Sequence, residues 1–574
     1  MKTANEIREI LLERRLKFAT VSGVWTTKPN LIRKVDDTVP DIDIITTKSF
    51  QVRPTSGNRE PIVAEVAVGS YVNAVGLRNP GMKVAYKELK KLRTEKPLRS
   101  ILNVSISGNS PEDFVKLAQK FEDIADMYEL NFSCPHAKAG YGASIGVSPE
   151  LVKEYMDAIR PVTKIALFPK LTPNVENIGE IARVAVAAGA DGLVAINTVG
   201  PEAYRDPVSD KLVLYNPDGH KGGRSGEHIF DVAVQKIKEI REAVGPDIPI
   251  IGMGGVSRGS QVRAIQRAGA NVVGVGSAIA RINDEKYREY FEALRFDTEN
   301  HTDSAASYLS VKRLAKYKKY TITKINELSE TMWDVELEGD PILFKASQYV
   351  FVWIPGVGEK PFGIVSSSPL RFIVRLRETN PKSKIGKFTK AFFKKKVGEP
   401  LYVRGPYGKL MPENMMSHVI ILSGGTGLAL VPKLAESLAF VGRIVNVFHG
   451  VTDKKEGCYQ ELIEPYATMK VVEDAGKPGR ILDAMEERLE EIETNNCTVY
   501  TIGPDMLMKK ALELAVKKGC SPEYCYASLE TNNMCGIGMC GECECGGILS
   551  CKNGTFYDYP FLQKNYFKEE LENN

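Results

Sequence analysis

The sequence has 574 residues, of which 43% are hydrophobic and 26% are charged. At roughly 100–200 residues per domain this length predicts several domains, and the ordinary composition excludes a disordered, collagen-like or coiled-coil protein. The net charge of +4 is too balanced for a protein that nucleic acid or a membrane surface recruits by bulk charge. No apolar run reaches the roughly 18 residues of a membrane span, and the first residues mix charges of both signs, unlike a signal peptide. We therefore expect a cytoplasmic protein with no nucleic-acid or membrane partner.

Short β-rich runs alternate with amphipathic helical stretches over residues 1–300. The strand candidates are DIDIITT, PIVAEVAV, ILNVSIS, YELNFS, IALFPKLT, GLVAIN, IPIIGMG and VVGVGS. Most are continuous apolar runs, which are typical of strands buried on both faces of a parallel sheet. About eight such units predict an α/β fold of the (β/α)8 barrel type, with a doubly wound open sheet as the alternative.

The rest of the chain has a different texture. Residues 301–318 are polar and then basic, which predicts a linker, and residues 319–412 alternate in period two, which predicts an antiparallel β-barrel. Residues 413–518 open with a strand, a glycine loop and a helix and predict a second α/β domain. Residues 519–574, the last predicted domain, hold seven of the ten cysteines. In a cytosolic protein such a cluster indicates bound metal rather than disulfide bonds.

Polar residues stand at the carboxyl ends of the predicted barrel strands, where (β/α)8 barrels place their active sites. Five strands end in Lys or Asn, namely at Lys48, Asn103, Asn131, Lys170 and Asn197. Amides and amines there can hydrogen-bond a planar heterocycle and a flavin ring. The glycine loops GMGG and VGVGSAI follow the last two strands, where barrels commonly hold a phosphate. Together they predict a phosphorylated cofactor.

The motifs RPTSGN, NAVGLRNPG, ELNFSCPH, KLTPNV, INT, GGRSG, IGMGGV and VGSAI, in this order, resemble the class 1 dihydroorotate dehydrogenases. The resemblance to this flavin-dependent barrel family covers residues 16–290. It implies FMN bound by Ser22, Lys48, Ser49, Asn103, Asn131, Lys170, Ile196, Gly226, Gly254, Gly255, Gly276 and Ser277. It also implies a pyrimidine substrate bound by Lys48, Asn73, Ala74, Val75, Gly76, Leu77, Asn131, His136, Asn197 and Thr198.

Cys134 matches the catalytic base of that family. Dehydrogenation across a C–C bond removes a hydride to the flavin and a proton to a base, and a thiol on a strand-end loop can act as the base when its pKa is lowered. The family usually has Asn after SCP, whereas this chain has His136. SCPH and KLTPN also resemble the dihydropyrimidine dehydrogenases, which reduce uracil and thymine, but the place of their substrate-loop acid is taken by Val75. Orotate is favoured, and an NAD(P)H-dependent reductase of uracil, thymine or a related ring is the alternative.

Cys535, Cys540 and Cys543 have the C-x4-C-x2-C spacing of plant-type [2Fe–2S] ferredoxins. The competing interpretation is structural zinc, which usually shows paired C-x2-C knuckles. We predict Cys551 as the fourth cluster ligand, with Cys545 as the alternative.

The segments KPFG, GKFTKAF, GPYGKL, ILSGGTGLALVPKL and YTIGPDM resemble the ferredoxin reductase superfamily, in particular the electron-transfer subunit of NAD-linked dihydroorotate dehydrogenase. The resemblance implies FAD at Lys360, Pro361, Phe362, Gly363, Ile373, Val374, Arg375 and Thr389. It implies NAD at Gly424, Gly425, Thr426 and Gly427. Lys360 and Gly363 replace the Arg and Ser of the family motif, which removes a bidentate contact and a hydroxyl from the FAD site.

The two resemblances together suggest that a catalytic FMN subunit and its FAD/[2Fe–2S] subunit are fused in one chain. The hypothesis is NAD-dependent oxidation of dihydroorotate in pyrimidine biosynthesis, with electrons passing from FMN through the [2Fe–2S] cluster and FAD to NAD+. Barrels of this family pair with themselves, so a homodimer is expected. A non-catalytic electron-transfer or redox-sensing protein is a further alternative, which the set Lys48, Asn131, Cys134 and Asn197 argues against.

Overall fold

The structure, a computed structural model, describes residues 2–132, 145–216, 219–376, 386–412, 416–473 and 480–567. The chain forms two compact units. The first comprises Met1–Asp206, Lys211–Ala315 and Met534–Gly541, and the second Pro207–Asp210, Lys316–Asn533 and Glu542–Asn574. The predicted base Cys134 and the neighbouring His136 lie outside the described residues. Across the described ranges, no helix is both long and apolar enough to cross a membrane.

The first unit is a parallel barrel with surrounding helices and a small antiparallel sheet. Its described strands are β1 (Phe18–Thr20), β2 (Ile42–Thr46), β3 (Val63–Ala67), β4 (Ser70–Asn73), β5 (Ile101–Ile106), β6 (Met127–Asn131), β7 (Ala166–Lys170), β8 (Leu193–Ala195), β9 (Val199–Ala203), β10 (Arg205–Asp206), β11 (Lys211–Leu212), β12 (Lys221–Gly226), β13 (Ile250–Met253) and β14 (Val272–Val275). Its described α-helices are α1 (Ala4–Leu12), α2 (Pro29–Thr38), α3 (Met82–Glu95), α4 (Pro111–Phe121), α5 (Pro149–Ile159), α6 (Ile178–Ala187), α7 (Phe230–Val244), α8 (Gly259–Arg267) and α9 (Tyr287–Asn300).

Eight strands close the barrel in the order β1, β14, β13, β8, β7, β6, β5 and β2, and all their pairings are parallel. The predicted barrel is thereby confirmed, and the open sheet is excluded. One strand candidate, PIVAEVAV, lies outside the barrel as β3, in an antiparallel sheet of order β3, β4, β12 and β9. The barrel strand missed from the sequence is β1, because three residues are too few to show a periodic pattern.

Local sequence signals explain where the helices begin. The Ser110 hydroxyl accepts the Asp113 N–H at 3.4 Å before α4, and the Ser148 hydroxyl accepts the Leu151 N–H at 3.2 Å before α5. Both helices have Pro at their first position, where the missing N–H costs nothing. Their apolar faces are buried in the main hydrophobic core of the unit. The barrel strands that end in polar residues are therefore packed against these helices.

The second unit contains two large sheets. Its described strands are β15 (Lys318–Ser329), β16 (Met332–Glu338), β17 (Tyr349–Ile354), β18 (Gly358–Gly363), β19 (Ser366–Ser367), β20 (Leu370–Arg375), β21 (Pro400–Tyr407), β22 (His418–Gly424), β23 (Ile444–Val451), β24 (Thr468–Glu473), β25 (Cys497–Ile502), β26 (Cys525–Ser528), β27 (Glu544–Cys545), β28 (Ile548–Leu549) and β29 (Phe556–Asp558). Its described α-helices are α10 (Lys387–Phe392), α11 (Val431–Phe440), α12 (Gln460–Ile463), α13 (Arg480–Glu490), α14 (Asp505–Lys517), α15 (Ser550–Asn553) and α16 (Tyr559–Asn565).

The first of these sheets is antiparallel, with the strand order β18, β17, β21, β15, β16, β20 and β19. The second has the order β24, β23, β22, β25, β26 and β29, and its pairings are parallel except for the last. Strand β22 starts the second sheet and lies between β23 and β25. A ligand crevice is expected at such a switch point, outside the carboxyl ends of the strands.

A buried ion pair lies inside the antiparallel sheet. Arg404 donates to both carboxylate oxygens of Glu359, at 2.5 and 2.9 Å, and the Tyr317 hydroxyl donates to the same carboxylate at 2.6 Å. Arg404 is 2% exposed and Glu359 is 1% exposed. Removing one partner from such a pair leaves an uncompensated buried charge, which is far more costly than losing a surface pair.

Glu359→Gln is expected to lower the unfolding free energy of the second unit by about 3–5 kcal/mol, because the Arg404 guanidinium loses its counter-charge. Chemical denaturation followed by tryptophan fluorescence measures this, since two of the three tryptophans, Trp333 and Trp353, lie in this unit.

The matched control is Glu399→Gln, which removes a partly exposed carboxylate 3.0 Å from Lys395. It should change stability by about 0.5 kcal/mol or less. Equal losses in the two variants would contradict the argument.

Candidate functional site

A cavity of about 230 Å³ opens at the carboxyl ends of the barrel strands. We call it the barrel cavity. Strands β1, β2, β6, β7, β8, β13 and β14 each end at its wall. Its lining is Val21, Ser22, Gly23, Val24, Lys48, Ser49, Val63, Asn73, Val75, Gly76, Leu77, Arg78, Asn131, Lys170, Ile196, Asn197, Thr198, Ser225, Gly226, Ile229, Met253, Gly254, Gly255, Gly274, Gly276, Ser277, Met539 and Cys540.

Almost all described residues that the sequence predicted for FMN and substrate line this cavity. The exceptions are Asn103 and Ala74. Asn103 is 1% exposed and its amide donates to the Thr46 hydroxyl at 3.1 Å. Ala74 is buried, and its carbonyl accepts the Asn58 side-chain amide at 3.0 Å. Neither residue lines the cavity, and His136 cannot be placed because it lies outside the described residues.

The charge of the barrel cavity is one-sided. Its lining includes Lys48, Arg78 and Lys170, while no Asp or Glu occurs among the lining residues in the described part of the chain. A cleft lined by one sign of charge concentrates ligands of the opposite sign. The cavity is therefore suited to anionic groups such as a phosphate or a carboxylate.

A buried polar network lies directly beneath the cavity. Glu129 is fully buried, and its Oε1 lies 3.5 Å from Lys170 Nζ and accepts the Ser105 hydroxyl at 3.0 Å. Ser105 and Ser49 share a hydrogen bond of 2.9 Å, and the Asn131 amide donates to Ser49 at 2.9 Å. The two lining residues Lys170 and Asn131 are thus both tied to one carboxylate.

Glycines shape the wall between the last strands. Gly254 and Gly255 have φ of +136° and +74°, and a Cβ on Gly255 would lie 2.7 Å from the Gly226 carbonyl oxygen. A Cβ on Gly276 would lie 2.5 Å from the Val21 side chain. Because these glycines carry no side chain, a phosphate can reach the backbone there. We call Gly254, Gly255 and Gly276 the glycine wall. Together with the cations and the strand-end amides of the cavity, it fits FMN.

The loop after β4 is held in a fixed shape. The Asn58 N–H donates to the Val75 carbonyl at 3.0 Å, and the Asn73 amide donates to the Gly223 carbonyl at 3.1 Å. Gly76 has φ of +75°, and a Cβ there would lie 2.8 Å from the Asn58 nitrogen. The loop can therefore present its backbone to a ligand without rearranging.

Part of the cysteine motif belongs to the first unit. The Met539 carbonyl accepts the Trp25 N–H at 3.0 Å, the Cys540 carbonyl accepts the Thr27 hydroxyl at 3.1 Å, and the Cys540 N–H points to Cys535 Sγ at 3.5 Å. The intervening turns are made by glycines with positive φ, at Gly536, Gly538 and Gly541. Backbone N–H groups aimed at a cysteine sulfur are what an iron–sulfur cluster requires of its loop.

Cys543 and Cys551 are buried in the second unit. The Tyr557 hydroxyl there has no hydrogen-bond partner among the described residues, and burial, followed by the charges of Cys545, Cys543 and Cys551, raises its pKa. A buried phenol of this kind can donate to a cluster sulfur. None of the nine described cysteines forms a disulfide bond, and in the described ranges no three His, Cys, Asp or Glu side chains are spaced to hold a metal ion. The cluster stays a prediction.

A second cavity, of about 510 Å³, lies within the second unit. Of the predicted FAD residues, it is lined by Pro361, Phe362, Gly363, Ile373 and Arg375. Lys360, Val374 and Thr389 do not line it; Val374 is packed in the core of the antiparallel sheet and Thr389 lies on α10. The predicted NAD residues Thr426 and Gly427 line this cavity as well.

Gly363 is the place where this chain departs from the Ser of the family motif. A Cβ on Gly363 would lie 2.8 Å from the Leu430 side chain. The space that a serine would need is thus occupied by leucine, so the glycine matches its surroundings. Arg375 remains as a cation that can face a pyrophosphate in this cavity.

A third cavity, of about 310 Å³, lies at the carboxyl ends of β22, β23, β24 and β25. It is lined by the other two predicted NAD residues, Gly424 and Gly425. Arg375 lines both this cavity and the second one, and its Nη2 lies 3.2 Å from Glu456 Oε1. The predicted nicotinamide motif is thus divided between two neighbouring cavities of one unit.

A buried histidine supports the glycine loop of the third cavity. His449 in β23 is fully buried, and its Nδ1 lies 2.9 Å from the hydroxyl of Ser423, the residue before Gly424. Its Nε2 has no partner among the described residues. Burial lowers the pKa of His449 from 6.5 to about 4, so the ring is neutral at neutral pH.

Comparison with known proteins agrees with this geometry. The family described as Dihydroorotate dehydrogenase matches residues 33–289. The sequence is also similar to the catalytic subunit of dihydroorotate dehydrogenase B (NAD(+)) from Methanothermobacter thermautotrophicus, with 43% identity over 41% of this chain and 74% of that protein. The chain belongs to the dihydroorotate dehydrogenase family.

Subunits of the same name from Methanocaldococcus jannaschii and Pyrococcus abyssi are 42% and 37% identical, over 41% and 48% of this chain and 74% and 87% of those proteins. A solved dihydroorotate dehydrogenase from Eimeria tenella in complex with ferulenol aligns with a TM-score of 0.41 and 17% identity, over 51% of this chain and 84% of that one. That TM-score is too low to inform the fold. The family match ends at residue 289 and leaves the second unit uncovered.

Three parts of these sites were missed from the sequence. Glu129 is an acid inside the apolar strand MYELN, and a charge in such a strand is a usable signal. Arg78 follows the predicted substrate loop directly. The segment 528–533 lines the second cavity and begins at the carboxyl end of β26, where the strand-end rule applies again.

His449→Asn is expected to flatten the dependence of stability on pH. The folded-state pKa of about 4 lies below the ordinary 6.5, so the unfolded state binds the proton more tightly. The native chain should therefore be most stable above pH 6.5 and lose up to about 3 kcal/mol as the pH falls toward 4. Thermal melts between pH 4 and 7.5 measure this.

Asn keeps a hydrogen-bonding group near Ser423 but does not titrate. The control is His418→Asn, which replaces a partly exposed histidine on the neighbouring strand β22 and shows whether loss of a histidine elsewhere in this sheet has the same effect. An unchanged slope in His449→Asn would overturn the assignment.

Proposed function

We propose that this chain is an NAD-dependent dihydroorotate dehydrogenase that carries its electron-transfer unit on the same polypeptide. It oxidises dihydroorotate to orotate, and FMN, a [2Fe–2S] cluster, FAD and NAD+ are its redox groups in that order. The observation that carries the proposal is the barrel cavity, where strand-end lysines and amides surround an anion-binding space in a chain of this family. The names of the relatives supply NAD+ as the acceptor.

The predicted residues have separate roles in the reaction. When bound, FMN would accept the hydride, the cluster would carry single electrons, and FAD would exchange electrons with NAD+. Cys134 removes the C5 proton of dihydroorotate, as the family resemblance implies. Asn131, Asn197 and Thr198 hydrogen-bond the ring, and the backbone of residues 73–77 with Lys48 receives its carboxylate. The glycine wall holds the phosphate of FMN.

The charge of the cavity favours dihydroorotate over dihydrouracil. Dihydroorotate carries a carboxylate, whereas dihydrouracil is neutral and gains nothing from a cationic site. Lys48, Arg78 and Lys170 all line the cavity, and no acid lines it among the described residues, so the lining offers positive charge to a second anion beside the phosphate. The attraction of these cations for a carboxylate is stronger in a cavity than in bulk water, because the effective dielectric constant is lower there.

In Cys134→Ala, dihydroorotate is expected to leave the FMN absorbance unbleached, because the proton acceptor is gone while the FMN-binding residues remain. Anaerobic titration of the native chain and the variant with dihydroorotate, dihydrouracil and NADH measures this. The native chain should be bleached by dihydroorotate and NADH.

Cys458→Ala is the matched control, since Cys458 lies in the second unit and should leave bleaching intact. Bleaching of the native chain by dihydrouracil alone would replace the substrate assignment with the reductase alternative. Bleaching of Cys134→Ala at the native rate would remove Cys134 as the base.

Cys551→Ser is expected to lose bound iron, whereas Cys545→Ser should retain it. Cys545 packs in an apolar cluster with Leu529, Tyr557 and Leu562, as a core residue does. Iron content and the visible and EPR spectra of anaerobically purified chains measure the difference. The reverse pattern would make Cys545 the fourth ligand, and full iron in both variants would contradict a cluster that uses either residue.

A further inference from the structure

Glu129 is a charged residue in the interior of the barrel, beneath the predicted substrate and FMN residues. In the parallel register Ser105 of β5 pairs with Glu129 of β6, and Asn131 of β6 pairs with Lys170 of β7. Side chains two residues apart on a strand point to the same face. Glu129 therefore lies one layer below Asn131, on the inner face of the barrel.

Burial makes this carboxylate expensive unless its neighbours compensate it. Glu129 is fully buried and Lys170 is 5% exposed, and 3.5 Å separates Glu129 Oε1 from Lys170 Nζ. A charge removed from water needs an opposite charge and hydrogen bonds to persist. Lys170 and Ser105 provide both at Oε1, while Oε2 has no hydrogen-bond partner among the described residues, and in return Glu129 fixes the Lys170 ammonium at the cavity wall.

The available hydrogens determine which group donates in each hydrogen bond of this network. The Ser105 hydroxyl donates its single hydrogen to Glu129 Oε1 at 3.0 Å. Ser105 must then accept from Ser49 across their 2.9 Å contact. With its own hydrogen used, Ser49 accepts from Asn131 Nδ2 at 2.9 Å and from the Ser22 hydroxyl at 3.3 Å. Each donor is thereby assigned.

We infer that Glu129 is a positioning residue for the FMN site. Its carboxylate anchors the Lys170 ammonium and, through Ser105 and Ser49, fixes the orientation of the Asn131 amide and the Ser22 hydroxyl. Three side chains that line the barrel cavity are thus set by one group that does not line it. The inference rests on the proposed FMN site of this chain.

The test measures FMN affinity in the full chain. The protein is stripped of flavin by dialysis and titrated with FMN, and quenching of the FMN fluorescence gives the dissociation constant. Glu129→Gln should weaken binding at least about tenfold, since an amide neither balances Lys170 nor enforces the direction of the network. Lys170→Met should weaken binding as well.

A combined variant distinguishes positioning from general damage. If Glu129 acts through both Lys170 and Ser105, then adding Glu129→Gln to the variant Lys170→Met with Ser105→Ala should change FMN affinity by no more than about twofold. A larger further loss of affinity would overturn the inference, and so would native FMN binding by Glu129→Gln alone. A native chain that binds no FMN would instead refute the proposed function.

Asp126→Asn is the matched control. It also breaks an ion pair of a mostly buried carboxylate, with the partly exposed Arg93 at 3.0 Å, but Asp126 does not line the cavity, so FMN affinity should stay native. If Glu129→Gln does not fold, Ser105→Ala and Glu129→Asp decide the matter. Each should weaken FMN binding several-fold, and native affinity in both would refute the inference.

Discussion

Closure of eight parallel strands brings their carboxyl ends to one rim, and the whole candidate site depends on this constraint. Lys48, Asn131, Lys170 and Asn197 are far apart in sequence, yet each stands at the end of its own strand and lines one cavity. A side chain at a strand end is held by the register of its neighbours on both sides. The closed barrel thereby brings these four polar side chains together at one cavity.

Buried charges are balanced inside both units. Glu129 and Lys170 are paired under the barrel cavity, and Arg404 and Glu359 are paired inside the antiparallel sheet. The two pairs differ in purpose. Arg404 is enclosed by its carboxylate and by aromatic rings, including the face of Phe351 at 4.1 Å, which holds the sheet together. Lys170 instead lines the barrel cavity, so this pair holds a buried charge at a place where a ligand can bind.

The short segment Met534–Gly541 shows how a distant part of the chain can complete a site. It belongs to the unit that contains the barrel, and it contributes Met539 and Cys540 to the cavity wall. Its glycines adopt positive φ, which allows a tight turn with the Cys540 N–H aimed at Cys535 Sγ. The segment therefore brings the predicted cluster ligand Cys540 to the wall of the barrel cavity.

The sequence by itself determined the barrel, its rim and the glycine wall. Buried parallel strands read as apolar runs, polar residues stand out at their ends, and the residues that match the family motif occur in order. Polar residues also stand at the end of the strand CYAS, and the expectation that such residues mark a site would have found the segment after β26. Only the tertiary structure decided that PIVAEVAV leaves the barrel, that Phe18–Thr20 closes it, and that Asn103 and Ala74 do not line the cavity. It also decided that Glu129 organises Lys170 and Asn131. These facts depend on strand register and on which side of a strand faces the cavity, and a one-dimensional pattern carries neither.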